Sequence, residues 1–138
     1  MLNNSEYNSV NMGSPLSPDV LAFFDGKSGA LGLYAALAER LLGAFPDVSV
    51  RVCKTQIDFA CRRLFACASL APVRPKALRP DPFLTVTFAL PCALESPRAL
   101  AVPVRALRWT HHVIIGAPGD LDAELMAWLK EAHDFANR

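Results

Sequence analysis

The sequence predicts an α+β fold: a two-layer sandwich in which a mostly antiparallel sheet of about five strands carries N- and C-terminal helices on one face. Three observations predict it. Apolar residues recur at helical spacing near both ends of the chain. Through the middle they alternate with period two. Seven of the eleven prolines fall in residues 51–108, between the strand candidates rather than inside them.

Taken in order, residues 1–16 are rich in Asn, Ser, Gly and Pro, lack a hydrophobic period, and read as a disordered leader, with Met12 as an alternative start. A single domain is expected over 17–138. Ser17-Pro18-Asp19 has the form of an N-cap followed by proline at the first helical position, and Asp25-Gly26-Lys27 breaks that short helix. From Ser28 to Phe45, the residues Leu31, Tyr34, Leu37, Ala38, Leu41, Leu42 and Phe45 form one stripe. Pro46 ends it.

Strand candidates follow at 48–52, 54–59, 64–70, 83–90 and 109–115. In the fourth, Leu84, Val86, Phe88 and Leu90 face one way and Phe83, Thr85, Thr87 and Ala89 the other. A last helix is expected from about Pro118 to Ala136. Its apolar face is Leu121, Leu125, Trp128, Leu129, Ala132 and Phe135, with Asp120, Asp122 and Glu124 at the amino end, where the helix dipole favours them. The helices should cover the face that carries Leu84, Val86 and Phe88. The opposite face is then the candidate working surface.

Composition excludes several classes. The chain has 138 residues, 52% hydrophobic and 20% charged, with a net charge of +1. That is enough apolar material for one core without a metal or disulfide staple, and too little net charge for indiscriminate polyanion coating. The total is a cancellation, however. Residues 51–108 carry +7 and the rest −6. No apolar run approaches the roughly 20 residues of a membrane-spanning helix, and the N-terminus has no secretory pattern. Cys53, Cys61, Cys67 and Cys92 form no Cys-x-x-Cys pair. They read as reduced, mostly buried thiols in a cytoplasmic protein.

Period two places Lys54, Gln56 and Asp58 on the open face, joined by Thr85, Thr87, one of His111 and His112, and Trp109. Parity alone leaves open which histidine it is. An ordinary solvated sheet face carries the same residue types. Adjacent strand histidines cannot share one ion without a bulge, and His133 lacks ligand spacing to a partner, so neither metal nor cofactor is expected. No Gly-x-Ser-x-Gly or Ser-x-x-Lys motif is present. Gly26-Lys27-Ser28 lacks the upstream glycine of a phosphate loop and reads as a turn with a helix cap. Pro72 to Pro82, with Arg74, Lys76 and Arg79, reads as a stiff, extended, solvated loop.

Lys54-Thr55-Gln56-Ile57-Asp58-Phe59, Trp109-Thr110-His111-His112-Val113, the Leu-Asp-x-Glu-Leu-x-x-Trp-Leu of residues 121–129 and Phe23-Phe24-Asp25-Gly26-Lys27 occur in that family's order: together they resemble the bacterial family called domain of unknown function 5655, over about residues 17–136. More distantly, the layout is similar to the small YdhG-like α+β domains. The resemblance implies that Lys54, Thr55, His111 and His112 are signature positions, without assigning them roles. One departure is Ala117-Pro118-Gly119, where such domains often carry Ser-Pro-Glu. Loss of that cap should cost about 1 kcal/mol unless Asp120 replaces it.

The functional expectation is a non-catalytic binding module for a small anionic ligand or a partner protein. Its ligand-binding residues would be Lys54, Thr55, Gln56, Trp109, His111 and His112. The alternatives are a small enzyme using a histidine as general acid/base with Lys54, and a nucleic-acid-associated accessory domain, the least supported of the three. An exposed sheet edge would allow two copies to pair.

Overall fold

A computed structural model describes residues 16–138. The expected leader lies outside the described residues apart from Leu16. Ser17 caps helix α1 (Pro18–Phe23): its Oγ accepts from the Val20 N–H at 3.3 Å, with proline at the first helical position. Helix α2 (Ser28–Ala44) buries Leu33, Tyr34, Leu37, Ala38 and Leu41. Its amino end has no side-chain cap, which corrects the expected cap at Gly26-Lys27-Ser28.

The sheet has six strands: β1 (Ser49–Val52), β2 (Ile57–Ala60), β3 (Leu64–Ser69), β4 (Leu84–Leu90), β5 (Ala99–Arg105) and β6 (Arg108–Ile115). They lie in the order β1-β2-β3-β4-β6-β5, with every neighbouring pair antiparallel. The sixth strand is β5, and it contains Pro103. An edge strand tolerates proline because one row of its N–H groups has no partner to lose.

Leu84, Val86 and Phe88 are buried under the helices as expected, together with Ile57, Phe59, Val113 and Ile115. Tyr34 joins the two layers. Its ring stacks on Phe59 at 5.9 Å and tilts against Phe24 at 5.4 Å. Between β2 and β3 the register shifts, so that Phe59 pairs with Ala66 and Ala60 with Leu64. Phe65 is the extra residue. The bulge turns Phe65 and Ala66 both inward, 4% and 3% exposed, and Phe65 meets Phe45 and His133 edge-on.

Helix α3 (Ala123–Ala136) starts five residues later than expected, after a 3-10 turn over Pro118–Asp120. The Asp120 carboxylate accepts from the Gly116 and Ala117 N–H groups at 2.8 and 3.1 Å. Asp122 is the true N-cap, accepting from Leu125 N–H at 3.0 Å. Two carboxylates therefore replace the missing hydroxyl. Arg98 ties the β4–β5 connection to this helix: it donates to Asp122, to Glu124 and to the Asp120 carbonyl, and its guanidinium lies over the Trp128 ring.

The proline-rich segment between β3 and β4 arches across one end of the sheet and is seated in two glycine notches. A methyl group at Gly116 would stand 2.5 Å from the Pro80 ring, and one at Gly29 2.7 Å from the Pro82 ring. Gly116→Ala is expected to cost about 1–3 kcal/mol, because a proline ring cannot swing aside. Gly119→Ala, whose new methyl would meet open space, should stay within about 0.5 kcal/mol of wild type. Urea denaturation of both variants checks this.

Candidate functional site

Among the described residues no helix covers the second face of the sheet. Strand register places Arg51, Asp58, Cys67, Thr87 and His112 directly opposite one another across β1, β2, β3, β4 and β6. Opposite residues in antiparallel pairs share a face, with Cβ atoms about 5 Å apart, so these side chains form one row. Thr87 Oγ1 and His112 Nδ1 share a 2.8 Å hydrogen bond. Gln56 Nε2 donates to Asp58 Oδ1 at 2.6 Å, and the Cys53 thiol donates to Asp58 Oδ2 at 3.5 Å.

Burial, together with the nearby Asp58 carboxylate, pushes the Cys67 thiol up to about 11. A thiol so placed stays protonated at neutral pH, the reverse of an activated nucleophile. Burial also lowers the His112 pKa. The four cysteines carry no disulfide; Cys53, Cys61 and Cys67 are half-buried and Cys92 is exposed, which is more open than the sequence suggested. Among the described residues no three His, Cys, Asp or Glu side chains gather as metal ligands, and no helix is long and apolar enough to cross a membrane.

The expected residues separate into three places. Gln56 and His112 lie on the open face. His111 and Trp109 lie on the helix side, opposite Phe88 and Leu90. His111 is fully buried and stacks on Phe88 at 5.4 Å. Its Nε2 accepts from the Leu94 N–H at 3.0 Å, so the neutral ring carries its proton on Nδ1, which has no hydrogen-bond partner. Burial lowers its pKa.

Lys54 and Thr55 belong to no strand. They form the turn between β1 and β2, where the Cys53 N–H donates to the Gln56 carbonyl, and both are exposed. The open-face position expected for Lys54 and Trp109 is thus corrected by the hairpin turn and by pairing with Leu90.

The turn brings Lys54 and Thr55 against other elements. They line a cleft of about 500 Å³ with Phe23, Leu70 and Ala71. Leu70 also lines a second cleft, of about 610 Å³, at the amino end of α2, whose other walls include Lys27, Arg79, Asp81 and Phe83. Arg79 sits over the Phe83 ring at 5.2 Å. Neither Lys27 nor Lys54 pairs with a carboxylate among the described residues. The sequence offers Lys27 only within a rejected phosphate loop and Arg79 only within a basic loop that could touch phosphates or an acidic protein but reads as solvated, and it does not bring the two together. Their only signal was positive charge beside glycine and proline, which solvated loops share.

The chain belongs to the family described as Domain of unknown function (DUF5655), whose sequence model matches residues 20–136. No curated protein and no solved structure matches it.

Proposed function

We propose that this family member is a binding module for a small anionic ligand, held between the α1–α2 turn, the β1–β2 turn and the proline-rich arch. The observation that carries this reading is the convergence of Lys27, Lys54 and Arg79 on two adjoining clefts that share Leu70. Clefts of several hundred Å³ are the usual size of small-molecule sites. Here the cations come from three separate segments, as expected where a multiply charged anion is to be surrounded. The first turn of α2, which has no side-chain cap, lines the second cleft with Ser28, Gly29 and Ala30. Thr55 supplies a hydroxyl.

The acid–base alternative has less support. Lys54 stands at the β1–β2 turn, whereas His112 is on β6, three strand spacings from β2 or about 14 Å. His111 faces the core. Four unbridged cysteines support a reducing, cytoplasmic setting.

Calorimetric titration with inorganic phosphate, pyrophosphate and citrate tests the reading. At least one of these anions should bind wild type. Lys54→Ala and Lys27→Ala should each weaken it by about tenfold, the loss of one charge-assisted contact. Equal affinity in wild type and both variants would remove the proposal.

A further inference from the structure

At the opposite end of the sheet, β3 parts from β4. Their ladder runs from Ser69↔Thr85 to Ala66↔Phe88 and stops, while β4 stays paired with β6 as far as Leu90↔Trp109. The bulge at Phe65 causes this: it takes up one residue and leaves Leu64 half-exposed, at 49%. The gap is a cleft of about 130 Å³. The last turns of α3 contribute Ala132, Phe135 and Ala136 to it, and the sheet contributes Thr87 and Thr110. Arg108 also lines it.

The charge around this cleft is one-sided. The Arg108 guanidinium lies 5.9 Å from the centroid of the Phe135 ring, and that of Arg138 lies 5.2 Å from it. Arg105 pairs with Arg108 across the turn at Ala106 and Leu107. Arg62 donates to the carbonyls of Asn137 and Arg138, and Arg63 follows it in the same turn. None of these five arginines pairs with a side-chain carboxylate among the described residues. Asp134 on the same helix end is already held by Lys130 and His133.

Guanidinium groups over an aromatic ring are partly desolvated, and they recognise planar carboxylates through two parallel hydrogen bonds. The cleft is close in size to the roughly 150 Å³ that accommodates a benzene ring. We propose that it is a second binding site, for a small monocarboxylate with an apolar body of about six carbons. The carboxylate sits on Arg108 beside the Thr110 hydroxyl, and the apolar body lies against Phe135 and Ala136. The remaining arginines attract the anion from a distance. This ligand differs in chemistry from the multiply charged anion proposed at the other end.

Benzoate titrated into the full chain, followed by methyl NMR, tests the site. Expected are shifts of the Thr87, Thr110, Ala132 and Ala136 methyl signals, with binding weakened by about tenfold in Arg108→Gln. Ala136→Leu, which fills the cleft and leaves every arginine in place, should abolish binding. Thr110→Val, nearly isosteric, should weaken it severalfold and guards against misfolding of the other variants. Lys54→Ala should bind benzoate as wild type does, so failure here and failure of the first site are told apart. The proposal is overturned if benzoate shifts none of these signals at millimolar concentration. It is also overturned if Arg108→Gln or Ala136→Leu binds as wild type does, or if benzyl alcohol or sulfate binds as well as benzoate.

Discussion

Phe59→Ala is expected to lower the unfolding free energy by about 3–5 kcal/mol. The Phe59 side chain is fully buried on β2, and its ring stacks on Tyr34, the α2 residue that also meets Phe24 just after α1. Truncation removes the transfer energy of a large ring. It also opens a cavity bordered by a sheet on one side and a helix on the other, neither of which can collapse freely. Domains of this size have roughly 5–15 kcal/mol in total, so the variant loses about a fifth or more of its stability. Urea denaturation with an unchanged m-value would establish the loss, and a change below about 1 kcal/mol would contradict the packing described.

Lowering the pH through about 6.5 is expected to destabilise the fold well before any carboxylate titrates. His111 and His112 both have pKa values lowered by burial. The unfolded chain therefore takes up protons first, and stability falls with pH between 6.5 and the lower folded-state values. Each histidine contributes up to about 1.4 kcal/mol per pH unit in that window. For His111 the structural reason is specific: a proton on Nε2 destroys the lone pair that accepts the Leu94 N–H. A second, more acidic window comes from Asp122 and Asp134. The N-cap bond from Leu125 holds Asp122 below the usual range, and the His133 contact does so for Asp134. What they contribute is present above the ordinary carboxylate pKa and is lost as pH falls through their depressed values. Thermal melts from about pH 8 to 5 should show a slope that flattens in His111→Gln and again in His112→Asn. A flat wild-type profile would refute the assignment.

The helices and five of the six strands were legible because their apolar periods match the burial they receive. Strand β5 was not. Ala99 is its one buried residue, so it carries no alternation, and Pro103 argues against a strand until its place at the sheet edge is known. Lys54 and Thr55 misled for the opposite reason: the alternation of Ile57 and Phe59 extends formally through Thr55, although the chain is already turning there. The histidine pair illustrates a different limit. Period two says that His111 and His112 face opposite ways, but only pairing with Phe88 and Thr87 says which is which. The apolar run Leu64 to Leu70 conceals both the bulge at Phe65 and the place of Cys67 on the open face. A bulge is a relation between two strands and has no period of its own.

Strands β1 to β4 follow one another as a meander, whereas β5 and β6 form a separate hairpin. The two parts meet along a single seam of seven residue pairs, from Leu84↔Ile115 to Leu90↔Trp109. Each part contains only pairings between strands adjacent in the chain, so the loop-closure cost of distant contacts within the sheet is concentrated in one docking event. Both histidines stand on that seam: His112 touches Thr87 of the meander, and His111 holds Leu94 of the segment that must cross it. Protonation therefore acts on the contacts that hold the hairpin to the meander, and not on either part alone.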